Sequence, residues 1–549
     1  MNCNLLNFRI RWSRGTRACW FLCVAIFLTG VPICAATPGQ EQVSKDFQKT
    51  VTIGAGQTVR LDHKFGEVHI HGESGRDVKI SATIHTQANS RVEAQGFADK
   101  IQIQVEQNGS GVQIRTIYPD EDKGWFHFHK NPSYSVDIDI AMPADAPLFV
   151  KNGFGNLEAR NIRASAEIQN SNGQLQVQDS GAARLTNAFG GIDVQNAAGD
   201  LVVINNNGSV NVTTVKGSLD LKNRFGNITV SGVQNKLAIS GGNGPVEISD
   251  AGATTVGNSF GPVTARNIHG SLEIKDDNGV IDVSNVKGPA TLHGTFGGIT
   301  FSNVSGLVNC TAANSRVKGG PAGDGVNVTT SFGEVSLDQI EGPIDVEDSN
   351  GNVIVHEIKG YAKINTSFGS IDGTSLHKGA RVTTGNGRIS LSDVGGDTYA
   401  KTSFGAAQLQ RVVGNVTIEN SNGQVSASSV KGDVRARTSF SAADLEDVTG
   451  RITVDNQNGG ITISVARGPG GCKNITAKTS FSSIQVRLPE GSGYDLTAHT
   501  SFGHIRTEFP VTAAGEFGSD SLNAKIGNGG CELSLNNSNG SIEILKLSK

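Results

Sequence analysis

The sequence predicts an all-β chain: a single-stranded parallel β-helix (β-solenoid) of 18-residue coils, wound right-handed and capped at both ends. Three observations predict it. Thr402-Ser403-Phe404-Gly405 returns as Asn420-Ser421-Asn422-Gly423 and then as Thr438-Ser439-Phe440-Ser441, 18 residues on each time. The same alternation runs back through Phe368, Phe332, Phe296, Phe260, Phe225, Phe189 and Phe154, with an Asn midway in every interval and steps of 17 or 18. Between these corners the chain alternates, as in Gly226-Asn227-Ile228-Thr229-Val230, which is the period of strands with one face buried. Glycine punctuates each unit again nine residues on, from Gly405 to Gly414 and from Gly423 to Gly432. Each coil therefore reads as two or three short strands broken at glycine corners.

Hairpins are excluded because the units recur in the same order and never in mirror order. Parallel stacking puts each Ile or Val over its counterpart, about 4.8 Å per coil. Parity places the corner rings inside: in Leu219-Asp220-Leu221-Lys222-Asn223-Arg224-Phe225 the ring shares parity with both leucines. Phe154, Phe189, Phe225, Phe260, Phe296, Phe332, Phe368, Phe404 and Phe440 are then a structural corner ladder. Rings alternate in it with smaller amides and fill the space without overpacking.

From the start of the chain, residues 1–36 read as a signal peptide. Arg9, Arg11, Arg14 and Arg17 precede an apolar run from Ala18 to Thr29, and Ala35 and Ala36 close it. The run is too short for a comfortable membrane span. Export with no integral span after its removal is expected, to the periplasm, outer surface or medium. Val31-Pro32-Ile33 before Cys34 is a poor lipidation signal. Residues 37–146 alternate outside the 18-residue register and are assigned to an N-terminal cap, because an uncovered last coil would polymerise end to end. Residues 147–482 are the regular solenoid. In 483–549 the register loosens, Pro489 and Pro510 appear, and C-terminal coils and a cap are expected. Cys310 stands at an apolar position and reads as a buried thiol. Cys472 and Cys531 lie near enough to the same end to meet, but three scattered cysteines make no disulfide framework or metal spacing.

Ile138-Asp139-Ile140-Ala141-Met142-Pro143 runs on to Leu148-Phe149-Val150, and Gly-x-apolar turns follow, such as Ser349-Asn350-Gly351-Asn352-Val353. The end carries Gly491-Ser492-Gly493-Tyr494 and Ser501-Phe502-Gly503. In these segments the chain resembles the bacterial putative-adhesin family of β-strand-repeat domains of unknown function. The resemblance covers roughly residues 50–547 and rests on turn glycines and alternation. It implies an exported adhesin-like solenoid with no catalytic group.

Seventy glycines in 549 residues without a Gly-X-Y period exclude collagen. A net charge of −4 without basic runs excludes nucleic acid as a partner. A calcium β-roll would need Asp at a fixed place, where the unit after Gly351 has Asn352, Val353, Ile354 and Val355. No metal or other cofactor is called for. An alternative function, a carbohydrate-active β-helix lyase or hydrolase, needs acids converging from adjacent coils. The candidates Asp276-Asp277, Glu347-Asp348 and Asp444, Glu446 and Asp447 are coils apart and read as solubilising acids beside turns. Trp125-Phe126-His127-Phe128-His129 is a possible interaction loop, and on a strand its two histidines would share a face. The leading expectation is a non-enzymatic interaction scaffold for a cell-surface glycan or protein, since repeated coils suit multivalent contact.

Overall fold

The structure, a computed structural model, describes residues 41–119, 133–465, 471–513 and 518–547. The expected leader and Cys34 lie outside them. The chain is a parallel β-solenoid in which each coil gives two strands, such as Leu219–Phe225 and Ile228–Val233. Leu221 lies between Val203 and Ile239 of the adjacent coils, and Val230 between Val212 and Ile248. Two in-register ladders result, and their inward Ile, Leu and Val side chains form one continuous core. Each such side chain contributes about 1.5–3 kcal/mol on full burial, so stability accumulates coil by coil.

The first corner needs glycine where neighbouring backbones touch. Gly226 has φ 119°, and a Cβ there would lie 2.3 Å from the Gly208 carbonyl oxygen of the next coil. The second strand ends in a bend that sequence parity misses. In most coils one residue adopts left-handed geometry, among them Asn267 (φ 56°), Asn285 (58°) and Asn303 (53°). Asn and Asp tolerate this region best. Here their amides also join coil to coil, Asn285 Nδ2 donating to Asn267 Oδ1 at 3.0 Å and Asn303 Nδ2 to Asn285 Oδ1 at 3.1 Å.

The inward placement of the corner phenylalanines is overturned. All nine are exposed, from 41% for Phe225 to 65% for Phe404. The strand bends before it reaches the ring: Asn223 takes the last inward position, and Arg224 and Phe225 both face out. The inside of the bend holds carbonyls with no ladder partner, which need a polar neighbour and not a ring. One phenylalanine of the shaft does point inward. Phe301 is 1% exposed, and its ring fills the space beside Gly319, where a Cβ would lie 1.9 Å from its Cζ.

At the ends, order along the chain and order in the stack part company. The N-terminal block comprises β1 (Glu41–Thr52), β2 (Thr58–Phe65), β3 (Val68–Glu73), β4 (Asp77–Ala88), α1 (Arg91–Ala98), β5 (Gln102–Asn108), β6 (Gly111–Ile117) and β7 (Ser133–Pro143). It leads into β8 (Leu148–Phe154) and β9 (Leu157–Arg160), the first shaft coil. The early coil β2–β3 stacks on β8–β9, and the later β6–β7 covers its far side. Antiparallel strands then close the edges, β5 on β6, and β4 on β7 with β1 beyond. α1, capped by Ser90, packs Ala94 and Ala98 against this edge. At the other end Cys531–Asn537 and Ile542–Lys546, last along the chain, insert between Ile475–Thr479 with Ile484–Leu488 and Tyr494–Thr500 with Ile505–Thr507. Ser521–Ile526 closes that edge antiparallel. Cys472 and Cys531 form a disulfide there. Cys310 is a buried free thiol whose pKa burial pushes up to about 12.

Candidate functional site

The outward row is the most unusual surface of the molecule. Phe481 and Phe502 extend it, so eleven exposed rings occupy the same corner. Successive rings are separated by an asparagine coil, as Phe189, Asn207 and Phe225 are. Beyond Phe440 the spacing in sequence breaks, yet the alternation in space does not. Asn539 N donates to Ser480 O at 2.8 Å and Phe502 N to Ser538 O at 2.9 Å, which sets Asn539 between Phe481 and Phe502. The row is then about 95 Å long at 4.8 Å per coil. Apolar side chains scattered singly on a surface need no explanation, but eleven aromatic rings repeated along one line do.

A polar row beneath it holds the corner in place. Two residues before each ring or asparagine stands Asn, Thr, Asp or a small residue. Asn223 Nδ2 donates to the Gly208 carbonyl at 3.0 Å, Thr402 Oγ1 to Gly387 O at 3.0 Å, and Asn420 Nδ2 to Gly405 O at 2.8 Å. In this way these coils cap the glycine corner of a neighbour, while Asn170 and Asn205 cap their own, at Gly173 and Gly208. The outer asparagines are tied down as well: Asn278 Nδ2 donates to Ser259 O and Asn350 Nδ2 to Ser331 O, both at 3.1 Å. Held flush, they leave a gap between successive rings of about 9.6 Å centre to centre.

Asp276 and Asp348 sit in the polar row, not on the surface, which corrects their reading as solubilising acids. They are 0% and 6% exposed. One oxygen of each accepts from the backbone N–H two residues on, and the other, Oδ2, is buried with no partner. Burial pushes the Asp276 pKa up to about 6 and raises that of Asp348. Asn258, beside Asp276 in the preceding coil, donates to the corner carbonyl of Gly244, a role a carboxyl group fills only when protonated.

These two acids are four coils apart, linked through Gly294, Ala312 and Thr330. Asp277 is half-buried, Glu347 is exposed, and Asp444, Glu446 and Asp447 lie outside on another strand. The structure brings no two of the three acid groups together. Among the described residues no three His, Cys, Asp or Glu side chains gather as metal ligands do. Trp125, Phe126, His127, Phe128 and His129 lie outside the described residues. The polar row was readable as an Asn or Thr two places before eight of the nine ladder phenylalanines, Phe296 with Gly294 being the exception.

No family model matches the chain, nor does any curated protein. Among solved structures, it aligns with a putative cell adhesion protein from Clostridium sporogenes ATCC 15579 at 11% identity, over 52% of this chain and 100% of that one, with a TM-score of 0.15. A putative adhesin from Parabacteroides distasonis ATCC 8503 aligns at 10% identity over 75% of this chain and 97% of its own, with a TM-score of 0.14. Among the described residues no helix is long and apolar enough to cross a membrane.

Proposed function

We propose that the chain is an exported, non-enzymatic, adhesin-like interaction scaffold whose contact surface is the outward phenylalanine row. The observation that carries this reading is the exposure of eleven rings along one corner of the rod. A ring that could be buried and is presented to water costs solvation free energy unless a partner covers it. Repetition along the rod turns weak single contacts into avidity. The neutral, hydroxyl-rich setting of the rings supports a contact by shape and apolar area and not by charge.

The test is binding of the mature protein to whole cells and to a glycan array, against a Phe296→Ser/Phe332→Ser/Phe368→Ser variant. Loss of roughly tenfold or more in avidity is expected, because the central contacts of an array go together. Equal binding by the variant would take the row out of the function.

A further inference from the structure

We infer that the row pairs with a second copy of this chain. The copies lie antiparallel, each inserting its rings into the gaps over the other's asparagine coils. The inference rests on reading the row as a contact surface. Spacing is the first argument. A ring placed midway in a gap stands about 4.8 Å from the ring on either side, inside the roughly 4.5–7 Å range in which aromatic pairs attract. The molecule already contains that arrangement once: Phe65, one coil from Phe154, stacks on it at 5.3 Å with 16° between the planes. A partner that fills the gaps must carry flat groups at the same period, and the row itself does. Reversing an alternating comb leaves it alternating, so a two-fold axis seats all but one end ring of each copy and the contact closes as a dimer.

Charge and area agree. The residues just before the rings include Ala188, Ser259, Thr295, Ser331 and Ser367, so a mildly acidic chain meets its copy without repulsion along this corner. Arg224 is the exception, and its guanidinium lies over its own neighbour Phe225, 5.2 Å from the centroid. Eleven rings, each about half exposed, offer on the order of 1,000 Å² per copy. A standard interface needs about 800 Å² per partner.

The experiment is sedimentation equilibrium of the mature chain over a concentration series, with two variants. The wild type is expected as a reversible dimer. Phe296→Ser/Phe332→Ser/Phe368→Ser should weaken it roughly 100-fold, as loss of central hot spots does, with an unchanged melt at concentrations where both are monomers, because the rings are exposed. Asn314→Phe/Asn350→Phe fills two gaps from within. It should weaken pairing although it adds aromatic surface, whereas mere stickiness would strengthen it and overturn the interdigitated geometry. A wild type that stays monomeric throughout also overturns the proposal. If that monomer still loses surface binding with the triple serine variant, self-pairing falls and the contact-surface reading stands. A dimer that binds no cell or glycan gives the reverse.

Discussion

The shaft and the N-terminal cap treat the same corner in opposite ways. In the shaft every ring has an asparagine coil beside it and faces water. In the cap the alternation stops: Phe65 stacks on Phe154, and Tyr118 and Tyr134 meet Phe65 edge-on at 5.3 and 5.4 Å. Phe97 packs on Tyr134 in turn. The cap therefore closes on itself the surface that the shaft leaves open. The C-terminal end takes the shaft's side, keeping Phe481, Asn539 and Phe502 in alternation although the chain reaches them out of order. Position in the stack, and not spacing along the chain, decides which residue occupies the corner.

The largest effects should separate rings inside the shaft from rings outside it. Phe301→Ala is expected to cost about 3–5 kcal/mol, the usual range for truncating a buried ring. Phe332→Ala, outside, should change a dilute-solution urea melt by no more than about 0.5 kcal/mol. Equal losses would erase the distinction. Next comes the C-terminal end, where Cys472→Ser/Cys531→Ser opens a link across 59 residues. A loss of about 2–4 kcal/mol is expected. Hydrogen exchange should show it confined to the last coils, since each coil contacts only its neighbours.

Acid should act oppositely on shaft and cap. Asp276 has a folded pKa raised to about 6. Its contribution is full below the unfolded value of about 3.9 and is lost as pH rises through 6. His63, buried beside Thr116 in the cap, has a pKa lowered by burial to about 4. Its contribution is full above about 6.5 and is lost as pH falls through 4. Between neutral pH and pH 4, amide protection relative to the intrinsic exchange rate at each pH should rise around Gly261 and Gly279 and fall around Phe65. Asp276→Asn restores a donor toward the neighbouring corner, as Asn258 provides toward Gly244. It should stabilise the shaft by about 1–3 kcal/mol at pH 7 and flatten its acid response in melts run across that range. The smallest effect belongs to Arg411, whose Nε and Nη2 donate to Asp393 at 2.6 and 2.8 Å in the open. Arg411→Ala should cost at most about 1 kcal/mol in the same melts.

Much of the fold was legible because its causes are local. Period-two alternation and glycine at a fixed interval are printed in the chain, and parallel stacking follows from them. The direction of the corner rings was not, because counting parity from Leu219 to Phe225 carries a straight strand through a bend that turns at Arg224. The left-handed bends at residues such as Asn285 hid for the same reason, since φ is not periodic in residue type. Insertion of Cys531–Asn537 between earlier coils could not be read from spacing at all: Leu533 pairs with Ile475 on one side and Cys531 with Tyr494 on the other, neither at the 18-residue interval. The outward row was visible as residues and misplaced as geometry. Phe332 and its equivalents were identified, but as core.

The outward row is tested most directly by an indole at its centre. In residues 37–549 carrying Trp125→Phe, the substitution Phe332→Trp leaves a single indole. Iodide quenching at rising protein concentration should find it fully open when dilute and progressively shielded as copies pair. Shielded, blue-shifted emission at every dilution would mean that the ring points into the core, and would contradict the account.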